Sequence, residues 1–286
     1  AISCVVNPAS GFEENYSRQV IYSRSSSPQK VVIAGGGPAG MKAAELAARK
    51  GHQVVLLEKS DSLGGRVKLE SSLPGKKELA GTARYLTSAL TNLNVDVRLN
   101  TEATEDKILA EKPDIVIIAT GASRLNNPGT YSIEDVLNHK VKGENALVMD
   151  YDAGLEGTGA VEYLASQGKT VHWVTAVFFN GQDNEVSTVL LPIYGRLGTK
   201  KVITHPMSVM VKFDNGQATL LNPYFNRTEI LSGIEAVVVT GLKAANNALY
   251  AALKDKVANL HLIGDAAAPR DTAAALADAL TLSAYL

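Results

Sequence analysis

The sequence has 286 residues and a single cysteine, Cys4. One thiol excludes an internal disulfide and any metal site built from several thiolates of this chain alone, and it fits a reducing, cytoplasmic setting. Aromatic residues are only 6%, too sparse for a base-stacking groove, and positive charge is not in excess: 28 Lys and Arg face 29 Asp and Glu, a formal charge of -1. Nothing here neutralises a phosphate backbone, so nucleic acid is not an expected partner. Long apolar runs are missing too. The best, Val174 to Phe179, falls far short of the roughly 18 to 20 residues of a membrane span. No basic segment followed by an apolar one opens the chain, so neither export nor membrane insertion is expected. The first residue is Ala1, not Met, as in a processed chain or a piece of a longer one. What remains is ordinary globular composition, 45% apolar and 20% charged, long enough for about two domains at about 150 residues each.

Residues 1–29 are polar and turn-rich, with Asn7-Pro8, Ser10-Gly11 and Ser25-Ser26-Ser27-Pro28, and read as a connector. The apolar run Val31 to Ala34, the glycine-rich turn Gly35 to Gly40, a helix over Met41 to Lys50 closed by Gly51, and a strand over Gln53 to Leu57 make a β-turn-α-β unit. A further strand, Asp114 to Ala119, runs into Thr120-Gly121, and 128–143 reads as loop with a short helix. The unit then recurs. A strand over Ala146 to Met149, a helix over Thr158 to Gln167, the cap Gly168 and a strand over Thr170 to Val174 repeat it at an offset of 168 - 51 = 117. Met207 to Phe213 alternates as a strand and Asp214-Asn215-Gly216 signals a hairpin. Glu235 to Val239 ends in Thr240-Gly241, echoing Thr120-Gly121, and Leu260 to Ile263 precedes Gly264-Asp265 and a last helix over Thr272 to Leu286.

Gly35-Gly36-Gly37-Pro38-Ala39-Gly40 satisfies G-x-G-x-x-G between a strand and a helix, the context that gives the pattern its meaning. Gly35 permits the tight turn, Gly37 lets backbone approach a pyrophosphate, Gly40 lets helix and sheet pack closely, and the helix N-terminus receives the anion. Glu58 closes the second strand, 58 - 40 = 18 residues on, where a carboxylate accepts from both hydroxyls of an adenosine ribose and repels a 2'-phosphate. FAD, NAD and ADP all satisfy this fingerprint. In the repeat, Gly37 and Gly40 fall on Gly154 and Gly157, but Gly35 falls on Asp152 and Glu58 on Thr175. An acid beside the pyrophosphate and no acid for the ribose disfavour NAD(P)H there. The five histidines show no ligand spacing, Gly-x-Ser-x-Gly is absent, Trp173 and Phe178-Phe179 read as core, and the Lys76-Lys77 and Lys200-Lys201 pairs as solvated surface.

Leu63-Gly64-Gly65-Arg66, Ala119-Thr120-Gly121 and Leu262-Ile263-Gly264-Asp265 form a set that resembles two-dinucleotide flavoproteins of the disulfide-reductase kind. The resemblance implies that Asp265 receives the ribityl and pyrophosphate end of FAD; the alternative is a helix N-cap. The stretch Cys4-Val5-Val6-Asn7-Pro8, with the glycine loop, Gly64-Gly65 and Gly264-Asp265-Ala266 to Pro269-Arg270, resembles the C-terminal half of old yellow enzyme-like iron-sulfur flavoproteins, the 2,4-dienoyl-CoA reductase, trimethylamine dehydrogenase and histamine dehydrogenase group. That resemblance implies a flavin-bearing barrel, with FMN, and three more cluster cysteines in a longer parent chain. It also implies Cys4 as the fourth ligand of a four-iron, four-sulfur cluster. The defective second glycine turn looks more like the amine dehydrogenases, whose first unit can hold ADP instead of FAD.

The expected fold is α/β with two Rossmann-like, FAD/NAD(P)-binding units, the second inserted in the first: 30–140 plus 255–286, and 141–254. The expected cofactor-binding residues are Gly35, Gly37, Pro38, Ala39, Gly40, Glu58, Lys59, Gly65, Arg66, Ala103, Thr120, Gly121, Gly264 and Asp265, with Cys4 the metal ligand. FAD or ADP is the expected nucleotide, with NAD(P)H a weaker second. The function is that of an oxidoreductase's nucleotide-binding, electron-transfer module, against a non-catalytic ADP-binding alternative. Partners are the nucleotide, the barrel and cluster portion of a parent enzyme, and further copies of the chain as a homo-oligomer.

Overall fold

The structure, a computed structural model, describes residues 4–16, 23–125, 128–184 and 189–286. Part of the connector expected over 1–29, including Ile2 and Ser3 beside Cys4, lies outside the described residues. In chain order the elements are β1 (Lys30–Ala34), α1 (Pro38–Arg49), β2 (Gln53–Leu57), α2 (Arg66–Glu70), α3 (Ala80–Asn92), β3 (Asp96–Arg98), α4 (Glu105–Ala110), β4 (Ile115–Ile118), β5 (Ala122–Arg124) and α5 (Ile133–Leu137). Then come β6 (Asn145–Asp150), α6 (Leu155–Ser166), β7 (Thr170–Thr175), α7 (Leu190–Leu197), β8 (Val202–His205), β9 (Val209–Asp214), β10 (Gln217–Asn222), β11 (Arg227–Ser232) and β12 (Ala236–Thr240). The chain closes with β13 (Lys243–Ala245), α8 (Ala248–Leu253), β14 (Leu260–Leu262) and α9 (Thr272–Ser283).

The chain divides into two compact units. Ala1–Ser71, Glu78–Ser123 and Lys243–Leu286 form the first, and Ser72–Lys77 with Arg124–Leu242 the second. The limits differ from the expected 141 and 254. The 128–143 stretch belongs to the second unit because Tyr131 exchanges backbone hydrogen bonds with β12, to Val237 and from Val239, at 2.8 and 2.9 Å. A capping box between Ser132 and Asp135 then starts α5, which buries Ile133 and Val136. On the return, Leu253 of α8 joins a core cluster of the first unit's sheet.

That sheet is parallel, in the order β14-β4-β1-β2-β3. Its central strands β4, β1 and β2 are near-continuous apolar runs because helices cover both faces. Val31, Ile33, Val54, Leu56, Ile115 and Ile117 pack on one side with α1 and α9. Val32, Ala34, Val55, Leu57, Val116 and Ile118 pack on the other with Ile108 and Leu253. The second unit repeats the arrangement as β12-β6-β7-β8, so the halves read from the 117-residue offset share one topology. It adds the antiparallel β11-β10-β9 sheet. There Asn215 and Gly216 both have positive φ, 47° and 74°, the two-residue hairpin turn that Asn-Gly favours.

Two details depart from expectation. The helices α1 and α6 begin three residues earlier than their apolar runs, because Gly37 and Gly154 take the N-cap positions and Pro38, with its fixed φ, suits the first turn. Trp173 is fully buried, but Phe178 is 64% exposed and stacks on Tyr224 instead of entering the core.

Candidate dinucleotide-binding site

The site residues of the first unit come from the carboxyl ends of its strands, where open α/β sheets place their ligands. Gly35 follows β1 with φ +108°, and a Cβ on it would sit 2.3 Å from the Ala119 carbonyl oxygen. A Cβ on Gly40 would sit 1.9 Å from the Gly35 carbonyl oxygen. These two glycines therefore serve packing: they bring α1 against the ends of β1 and β4. Gly37, the N-cap of α1, is different in kind. A Cβ there meets nothing within 4 Å, so open space lies in front of the free amides of a 12-residue helix. Backbone donors and helix dipole make that space favourable to an anion. Pro38 occupies the first helical position, and Ala39 is buried against the Gly264 turn.

Glu58 is 8% exposed and fixed by two amides: Gly36 N-H donates to Oε2 at 2.6 Å and Ser60 N-H to Oε1 at 2.7 Å. Each oxygen keeps a lone pair for a ribose hydroxyl. Thr101 N-H donates to the Glu58 carbonyl at 2.8 Å, which ties the segment carrying Ala103 to the acid; Lys59 points into solvent as an exposed residue. Gly64 N-H donates to the Gly36 carbonyl at 2.9 Å, and a Cβ on Gly65 would lie 3.0 Å from the Gly37 Cα. The second glycine pair thus packs against the first.

Arg66 and Asp265, 199 residues apart, are ion-paired at 2.8 Å. Arg66 also donates to Glu70 at 3.0 Å and to the Arg270 carbonyl at 3.1 Å. Asp265 is not a helix N-cap. Asp271 is, with its side chain accepting from Ala274 N-H at 2.7 Å, while Asp265 lies in a 3-10 turn over Gly264–Ala266. Thr120 and Gly121 are bound to Asn246: the Thr120 hydroxyl donates to its carbonyl at 2.6 Å, and its amide donates to the Gly121 carbonyl at 3.0 Å. The Thr120 hydroxyl proton is thereby committed within the protein. Cys4 is an exposed free thiol.

The second unit fills its own cradle. Asp150, the last residue of β6, is fully buried. It accepts from Trp173 Nε1-H and Ala153 N-H, both at 3.0 Å, and from the Thr240 hydroxyl at 3.3 Å. A Cβ on Gly157 would lie 2.1 Å from its carboxyl carbon. Burial, then the neighbouring charge of Asp152, pushes the Asp150 carboxyl well above the usual carboxylate range. In the first turn of α6, Glu156 is 2% exposed and takes both Arg124 Nη1-H and Nη2-H, at 2.6 and 3.1 Å. Thr175, at the place of Glu58, buries a hydroxyl oxygen without a partner. The sequence reading identified Asp152 and Thr175; it missed Asp150, whose signal was an acid ending an apolar strand, and Arg124 with Glu156, a pair too far apart in sequence to be read.

With this geometry in view, residues 30–105 match the family described as FAD dependent oxidoreductase. N,N-dimethylglycine/sarcosine dehydrogenase of Chromohalobacter salexigens is 32% identical over 98% of this chain and 47% of its own length. NADH oxidase of Thermoanaerobacter brockii is 32% identical over 93% and 42%. A solved structure of 2-naphthoyl-CoA reductase with 2-naphthoyl-CoA superposes with TM-score 0.86 at 28% identity, over 99% of this chain and 43% of that one. The chain spans about half the length of the curated relatives it matches. Residues 30–105 thus carry a match to the FAD dependent oxidoreductase family, the fold of the chain is Rossmann-like α/β, and these relatives are oxidoreductases.

Two predictions follow from the contrast between glycines and between units. Gly37→Val leaves the fold intact and removes dinucleotide binding, whereas Gly40→Val, facing the Gly35 carbonyl, lowers stability by about 3 kcal/mol or more, the upper range for a substitution that overpacks a core. Urea unfolding and nucleotide titration of both variants check this. For Asp150, the folded pKa is raised, so its contribution is fully present below the unfolded carboxyl value of about 3.9 and is lost as pH rises through the folded value. The stability of the natural chain minus that of Asp150→Asn therefore falls as pH is raised from about 4 upward, read from the fluorescence of Trp173, the only tryptophan. A flat difference would show that Asp150 ionises normally.

Proposed function

We propose that the first unit binds FAD across Gly35 to Gly40, Glu58, Arg66, Thr120 and Asp265, as the nucleotide module of a flavin-dependent oxidoreductase of the iron-sulfur, old yellow enzyme-like group. The single observation that carries this reading is the open space at Gly37, in front of the α1 N-terminus, with the immobilised Glu58 carboxylate beside it. When bound, FAD supplies electron acceptance and donation. The chain's own residues hold the pyrophosphate on backbone amides, accept the ribose hydroxyls on Glu58, and meet the flavin half of the molecule at Arg66 and Asp265. Cys4 is proposed as one ligand of an iron-sulfur cluster whose other ligands, with a barrel and its FMN, belong to a longer parent chain; a thiolate cannot hold a cluster alone. That portion of the parent is the proposed partner, with which the module's flavin would exchange electrons. Relatives named as a dehydrogenase and an NADH oxidase support redox chemistry without fixing the substrate.

A second reading is ADP alone, in a structural role. It is favoured by the second unit, where Asp150, Asp152 and Glu156 surround the α6 N-terminus with carboxyl groups, a setting unfavourable to the pyrophosphate of NAD(P)H. Identification of the nucleotide released on denaturing the purified protein separates the readings: flavin supports the first, ADP without flavin the second, and no nucleotide together with no binding on titration overturns both.

Glu58→Gln is expected to weaken adenine dinucleotide binding by about 1 to 3 kcal/mol, the usual worth of a hydrogen bond to a charged group, and to lower stability as well, since one amide donor then faces an NH2 group. Isothermal titration checks it; unchanged affinity means that the ribose lies elsewhere. The isolated chain, supplied with flavin and an artificial acceptor, should oxidise neither NADH nor NADPH at micromolar concentration. If each defect of the second unit costs about 1 to 3 kcal/mol, two together move a micromolar dissociation constant to roughly millimolar. Saturable oxidation would restore a working nicotinamide site.

A further inference from the structure

Asp278 lies in the middle of α9, beyond every motif of the sequence, yet its carboxylate ends a chain of charged contacts that reaches the candidate site. Its Oδ2 accepts from Gly264 N-H at 2.9 Å and from the Arg270 guanidinium. Arg270 N-H donates to Asp265 Oδ1 at 3.0 Å, Arg66 Nη1-H donates to Asp265 Oδ2 at 2.8 Å, and Arg66 Nη2-H donates to the Arg270 carbonyl at 3.1 Å. The turn so held is a demanding one. Gly264 has φ +64°, and a Cβ on it would fall 2.7 Å from the Cβ of Ala39 in the first turn of α1.

We propose that Asp278 is a positioning residue for the cofactor: by holding the Gly264 amide and the Arg270 guanidinium it keeps the Asp265 carboxylate open toward the polyol hydroxyls of a flavin dinucleotide. The inference rests on the flavin reading above. Each Asp265 oxygen carries one protein hydrogen bond and keeps a lone pair for a hydroxyl. Besides Arg66, which is already paired with Asp265, the Arg270 guanidinium is a competitor for those lone pairs, since its own backbone amide sits on Asp265. A charge-assisted bond to Asp278 diverts it, and such bonds are the strong ones. Removing the Asp278 carboxylate releases the guanidinium toward Asp265 and frees the Gly264 amide in one step. ADP, which has no polyol, does not use Asp265 and does not register the change.

The test is calorimetric titration of the full chain with FAD and with ADP, for the natural protein, Asp278→Ala and Asp278→Asn, with amide hydrogen exchange of Gly264 and Arg270 in the unliganded forms. Asp278→Ala should weaken FAD binding about tenfold or more, the scale of one charge-assisted hydrogen bond, leave ADP affinity unchanged, and speed exchange at Gly264. Asp278→Asn keeps an acceptor for Gly264 without the charge on Arg270, and should fall between. Asp278→Ala that keeps the natural FAD affinity overturns the inference alone. Equal losses for FAD and ADP overturn it as well, since the residue then merely supports the fold. Natural protein that binds FAD no more tightly than ADP overturns the flavin reading and this inference with it, and that outcome is visible before any variant is made.

Discussion

The close approach of α1 to β1 is the constraint on which the first unit depends. With a would-be Cβ of Gly40 at 1.9 Å from the Gly35 oxygen, and that of Gly35 at 2.3 Å from the Ala119 oxygen, only hydrogen fits at either place. The consequence is geometric: the helix starts immediately at the sheet's edge, so its unpaired amides face the space beyond the strand ends instead of the core. Met41, Ala44 and Ala47, all buried, then lay the helix on the face formed by Val31, Ile33 and Val54. The anion affinity proposed at Gly37 follows from a packing solution, because the donors that the helix cannot satisfy internally are the ones left facing outward.

The second unit shows what happens when the same topology keeps the helix and changes the chemistry. The backbone contact between the turn and the segment after the second strand persists: Gly64 N-H reaches the Gly36 carbonyl, and Asp183 N-H reaches Ala153, its counterpart at the 117-residue offset, at 3.2 Å. What differs is the charge. Asp150 fills the space beneath Gly157, and the Glu156 carboxylate, in the first turn of α6, is paired with Arg124. A helix N-terminus that already has an internal anion close by gains little from an external one, and a ligand phosphate must also approach Asp152. Shared fold and divergent ligand capacity are thus separable, and the separation resides in a few side chains.

Much of this was legible in advance. The central strands of both parallel sheets stood out as apolar runs, four of the strands running into Gly or Thr-Gly, because burial on two faces leaves no polar alternation to disguise them, whereas the short edge strands β3 and β8 carried no such signal. The G-x-G-x-x-G turn and Glu58 were legible because their geometry is local, spanning 35–58. The limits of the units were not, since long-range contacts, the backbone exchange of Tyr131 with β12 and the bonds of His139 to Tyr163 and Gln167, join the 128–143 stretch to the second unit, and no periodicity encodes them. Asp150 was missed because a buried acid in an apolar strand looks like the strand's end, and its partner Trp173 is 23 residues away. Arg66 and Asp265 were each marked by a motif, but their mutual ion pair, across 199 residues, was invisible until the strands were assembled.

The two halves of the candidate site consequently differ in how they are encoded. The pyrophosphate and ribose half is written in one contiguous stretch of backbone turns, in which glycine and a single acid leave little freedom. The half beyond it is assembled by charged side chains from α2, from the 264–271 turn region and from α9, whose identities can change without disturbing a strand or a helix start. Charged networks of this kind adjust more readily than a steric fit at 1.9 Å, because each member tolerates several partners whereas a glycine contact tolerates none. The proposed adenine nucleotide site is therefore the part bound tightly to the fold. Whether the ligand continues into a flavin is governed by the more adjustable part, and there the occupancy of the Asp265 lone pairs is the deciding physical quantity.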